Sequence, residues 1–166
     1  MLPLTSTLAH GLLICIPFTI FVIVTFSRWP RLWLHSLPPD IIEMAGPKTS
    51  TEEKRTKLLL IPYLLILPGL SVVSTFVVAY TENVDLTLLG ATLHIYGIWI
   101  VVHFWDFLII DCGYALFMDP NDPPIPGTEG AKGYRDLGFH FRSFLRAVPM
   151  SALMVVPLAG IASLVA

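Results

Sequence analysis

Four long apolar stretches alternate with two long polar segments and one short polar turn. The apolar runs cover about residues 8–26, 58–79, 88–112 and 148–166. Each approximates the ~20 residues that a helix needs to cross ~30 Å of hydrocarbon at 1.5 Å per residue. The expected fold class is all-α, a four-transmembrane-helix bundle forming a single integral membrane domain over residues 1–166. No internal repeat is visible.

Prolines and glycines mark where these helices bend or stop. Pro17 falls inside the first run, Pro62 and Pro68-Gly69 inside the second, and Pro149 and Pro157 inside the fourth. Membrane helices tolerate such residues as kinks, and a broken helix can also line a site. Pro38-Pro39 and Gly46-Pro47 divide residues 27–57 into short surface pieces. Ser50 followed by Glu53 forms a capping-box pattern that starts the second long helix in water, before the apolar run. Segment 137–147 reads as an interfacial lead-in to the last span.

Composition supports the membrane class: 55% of residues are hydrophobic and only 13% charged, against about a quarter in soluble domains. Cys15 and Cys112 lie in apolar runs without metal-ligand spacing, so they read as small buried hydrophobes. All ten Lys and Arg fall in residues 27–57 and 119–147. The positive-inside rule then places both loops in the cytoplasm and both termini outside. Arg28 and Arg31 follow the first run and nothing basic precedes it, the charge order of a retained helix rather than a signal peptide.

The third run holds the chemistry. Leu86–Met118 contains His94, His103, Asp106 and Asp111, and ionisable groups in an apolar span usually face protein or water at a functional site. Its 33 residues exceed one span, so its register is open. His103 and Asp106 are three apart and can touch on a helix, as a proton relay, general base or metal ligands, or as a structural pair between helices. In α-helical geometry Asp111 lies about 140° round from Asp106. His103, Asp106 and Asp111 are the candidate catalytic residues. His10 and His94, near the outer side of different helices, can in principle hold a haem across the bundle, or simply be polar residues at an interface.

The second loop supplies candidate ligand-binding residues. GTEGAKG, residues 127–133, allows backbone amides to converge on an anion but lacks the Walker ending, and is usually a flexible turn. Arg135, His140, Arg142 and Arg146 follow it. Asp136 and His140 would pair on a helix, with Arg142 and Arg146 on one edge facing lipid phosphates.

The segments RLWLHSLPPDI, HFWDFLIIDC and PGTEGAKGYRDLGFHFRSFL resemble those of a family of small four-span bacterial membrane proteins. Cys112 departs from that pattern, where a tryptophan is expected. The resemblance implies the topology and a bacterial inner membrane and lends no catalytic residue.

The expected function is binding or processing of a lipid-like or anionic amphiphile at a His/Asp/Arg site in the cytoplasmic leaflet. A structural or accessory subunit, and a proton- or ion-coupled transport component, are the alternatives. Whether the chain is an enzyme stays open, as do cofactor and metal. The expected partners are membrane lipids and a homo-oligomer or larger membrane complex; no nucleic-acid partner is expected.

Overall fold

The computed structural model describes residues 2–119 and 121–165. Pro120, in the second loop, and Ala166, the last residue of the fourth expected span, lie outside them. Among the described residues the chain is all-helical. Helix α1 spans Leu4–Arg28, α2 Pro39–Ala45, α3 Ser50–Thr81, α4 Leu88–Phe117 and α5 Leu137–Val165. Helices α1, α3, α4 and α5 are the four long and apolar enough to cross a membrane. The lead-in at 137–147 belongs to α5 itself.

Helix α4 is the centre of the bundle. Its Ile95, Ile98 and Val102 are fully buried, and it packs most extensively on α5 and α1. Tyr96 donates to the Val148 carbonyl at 3.1 Å, while Phe107 packs on Phe141 and Phe144, so α4 and α5 run antiparallel. Glycines permit the close α1–α4 crossing. A Cβ on Gly97 would stand 2.6 Å from Thr7 Cγ2, and one on Gly11 would stand 2.9 Å from Val101 Cβ.

Polarity is arranged as it is in a bundle surrounded by lipid. Leu12, Leu13, Ile16 and Ile20 of α1 face outward, as do Leu153 and Ile161 of α5, whereas Thr7, Ser71, Ser74 and Thr75 are buried. Lipid-embedded helices gain nothing from hiding leucines from one another, so small and hydroxyl-bearing residues make the contacts.

Two turns of the long helices are π-helical. Pro68 has no N–H for the Leu64 carbonyl, and the π turn Leu65–Gly69 absorbs the mismatch without interrupting α3. The second π turn, Asp106–Asp111, contains neither proline nor glycine.

The loops form a second small core at the end of the bundle that carries the basic residues. Leu34, Leu37, Ile41, Ile125, Ala131 and Tyr134 are buried together. A 3₁₀ turn over Pro30–Ser36 leads into α2, which starts with Pro39 and stops at Gly46, φ +70°. Arg31 fastens this segment: Nε donates to Glu52 at 2.7 Å, Nη1 to the Ala45 carbonyl at 2.7 Å and Nη2 to the Pro47 carbonyl at 2.9 Å. The capping box lies one residue earlier than the sequence suggests, on Thr49 and Glu52 rather than Ser50 and Glu53, because Thr49 is the last extended residue.

The Arg31 guanidinium and the Thr49 amide hold the Glu52 carboxyl at about 2, against an ordinary 4.5. A depressed carboxyl contributes stability that is complete above its unfolded value and is lost as pH falls through the folded one. Glu52→Gln should therefore cost about 1–2 kcal/mol at neutral pH. The wild-type advantage should shrink below about pH 4.5 and vanish near pH 2, read as the difference in unfolding midpoint across a pH series.

Candidate functional site

Helix geometry decides which of the acids meet. In an α-helix, Asp106 and Asp111 would diverge by about 140°. The i→i+5 bonding of a π turn brings the residue five along onto the same face, as i+4 is in an α-helix, and Asp106–Asp111 is one such turn. The two carboxylates therefore share a side of α4. Asp111 Oδ1 lies 3.2 Å from His140 Nδ1, which joins α4 to α5.

The expected His103–Asp106 pair is not made. Helical side chains lean toward the N-terminus, and His103 leans over Trp99, ring centroids 6.3 Å apart. Its Nε2 is buried without a hydrogen-bond partner among the described residues. The Asp136–His140 pair is not made either. Asp136 precedes α5 and caps it, accepting from the Phe139 amide at 2.8 Å and facing Arg142 at 3.6 Å, which leaves buried His140 for Asp111. Arg142 and Arg146 are exposed on α5.

Arg135 lies at the end of the 3₁₀ turn Lys132–Arg135 and lines a concavity of about 220 Å³ with Ala115, Leu116 and Leu137. Ala115 and Leu116 follow Asp111 by one turn and Leu137 precedes His140 by one turn, so this hollow adjoins the acid–imidazole group. The glycine loop is not an open anion nest. Gly127 N–H donates to Glu129 at 3.0 Å and Gly133 N–H to Asp40 at 2.8 Å, so the chain's own carboxylates occupy these amides.

At the opposite end, His94 Nδ1 is 2.7 Å from Thr7 Oγ1 and Nε2 is 2.9 Å from Ser74 Oγ, which also meets His10 Nδ1 at 2.7 Å. Thr7 donates to the Pro3 carbonyl at 3.1 Å. Donor arithmetic then makes His94 donate to Thr7 and accept from Ser74, with His10 donating to Ser74. Both nitrogens of buried His94 are occupied in this network, which leaves none for a haem iron. The histidines fasten α1, α3 and α4 to one another. Of the α3 hydroxyls Ser74 meets the histidines, whereas Ser71 accepts from Trp99 Nε1 at 3.1 Å and Thr75 donates to the Ser71 carbonyl at 2.8 Å. Their spacing, Ser71, Ser74 and Thr75 on one helical face, is the signal that would have found them.

Among the described residues no group of three or more His, Cys, Asp or Glu side chains is disposed to hold a metal ion. No family model, curated protein or solved structure matches the chain.

Proposed function

We propose that this chain is a small multi-pass protein of a bacterial inner membrane that binds an anionic amphiphile at the cytoplasmic leaflet. Both long loops lie in the cytoplasm and both termini lie outside. The observation that carries the reading is the π turn of α4, which sets Asp106 and Asp111 on one side of the helix, with Asp111 3.2 Å from His140, beside the Arg135 hollow. Arg135 meets the anionic head as a guanidinium fork meets phosphate or carboxylate, and exposed Leu116 and Leu137 meet the chain. Two carboxylates and an imidazole in partial burial give the site groups able to take up or release a proton beside that head.

Dioctanoyl phosphatidylglycerol, titrated into the detergent-solubilised protein, tests this. Arg135→Gln should weaken binding at least tenfold, and Asp106→Asn should alter its pH dependence while leaving the unfolding midpoint within a degree or two. Unchanged binding in both variants would overturn the reading. The Asp111–His140 contact favours a second reading, a purely structural tie between α4 and α5. On that reading His140→Gln lowers stability by about 1–3 kcal/mol and no substitution affects lipid binding.

A further inference from the structure

A second concavity lies elsewhere, between the end of α1, the start of α3 and the second loop. It encloses about 310 Å³ and is lined by Arg28, Trp29, Arg31, Glu52, Arg55 and the prolines Pro124 and Pro126. Its charges are not equivalent. Arg31 and Glu52 are committed to each other, and Arg31 is also committed to two carbonyls. Arg28 and Arg55 make no ion pair among the described residues. Three guanidinium groups against one carboxylate leave two positive charges, both carried by the side chains that remain open.

We propose that this cleft is a second anion site, which takes the phosphate of a headgroup between Arg28 and Arg55. Two guanidinium groups lining one cleft from different elements suit a phosphate, which presents several acceptor oxygens to planar donor forks. The support beneath them is fixed. Arg31 ties the 3₁₀ turn to α3 through Glu52 and to the Ala45 and Pro47 carbonyls, so the segments that carry Arg28 and Arg55 are fastened to each other. The rim also fits a lipid. Trp29, 40% exposed, follows α1 directly and offers an amphipathic ring at the level where an apolar span ends. Pro124 and Pro126 close the far side with backbone that cannot donate, leaving the anion to the guanidinium groups.

The ligand chemistry is a phosphate anion, and its source is either a lipid headgroup or a free phosphate. The test uses the full chain in detergent with dioctanoyl phosphatidic acid, counting bound lipids by native mass spectrometry. Measurements are repeated in an Arg135→Gln background, so that loss at this cleft is read apart from the other hollow. Arg28→Gln with Arg55→Gln should remove one bound lipid and weaken binding in that background at least tenfold, with an unchanged melting temperature. Arg28→Lys with Arg55→Lys should recover part of it, because charge returns without the planar fork. Lys54→Gln with Lys132→Gln removes two positive charges outside the cleft and should change binding less than twofold. Competition by millimolar inorganic phosphate assigns a free phosphate as the natural occupant; resistance to it assigns the lipid. An Arg28/Arg55 variant that binds like the wild type overturns the site. So does an equal loss with Lys54→Gln and Lys132→Gln, which would make the attraction one of diffuse surface charge.

Discussion

Alanine in place of Gly97 should lower stability by about 2–4 kcal/mol, the combined size of an overpacked contact and a disturbed buried hydrogen-bond network. The new methyl would stand 2.6 Å from Thr7 Cγ2, far inside contact distance. Thr7 has little freedom to yield, because its hydroxyl bonds both the Pro3 carbonyl and His94. Rotating it away leaves a buried imidazole nitrogen unpaired and loosens the tie to Ser74 and His10. The steric cause can be separated from the polar one. Thr7→Ser removes the offending methyl, keeps the hydroxyl and leaves Cβ at an ordinary 4.0 Å, so the double variant should regain most of the loss. Reversible unfolding in mixed micelles measures both. A double variant no more stable than Gly97→Ala alone would refute the clash as the cause.

Gly133→Ala should have a comparable effect at the other end of the bundle, about 2–3 kcal/mol. The Gly133 amide donates to Asp40, clasping the second loop to α2, and a Cβ there would run into the Asp40 carboxylate and stand 2.6 Å from Pro38 Cβ. Opening the clasp exposes the small loop core, in which Ile41, Ile125 and Tyr134 are almost wholly buried. Limited proteolysis should cut the 121–136 region much faster in the variant. Asp40→Ala removes the acceptor and part of the obstruction together, so its cost should be smaller and should not add to that of Gly133→Ala. Strict additivity would mean that the two residues do not share one clasp.

Gly97 stands in the sequence with nothing to distinguish it from Gly113 or Gly160, where an added Cβ meets no atom within 4 Å, and Gly133 reads there only as one glycine of a turn. A close approach depends on the partner helix or loop, and no local pattern encodes it. The same is true of His140. Its spacing from Asp136 suggests a helical pair, yet Asp136 caps α5 and His140 turns to an acid 29 residues earlier in the chain.

The sequence by itself determined the four helices, their order and the clustering of all basic residues at two loops. These follow from composition and period, which act over neighbouring residues: the length of an apolar run, the hand of the helix, the prolines that stop it. It also singled out Asp106 and Asp111 as costly groups in an apolar run. Only the tertiary structure decided that these two acids share a side of the helix, because that depends on one π turn with no proline or glycine to announce it. It likewise decided that His94 is spent on Thr7 and Ser74, and that Arg31 is locked while Arg28 and Arg55 stay open. Such choices are made by contacts between distant segments. A side chain's partner is fixed by where the whole chain places it, whereas its neighbours in sequence fix only the element it rides on.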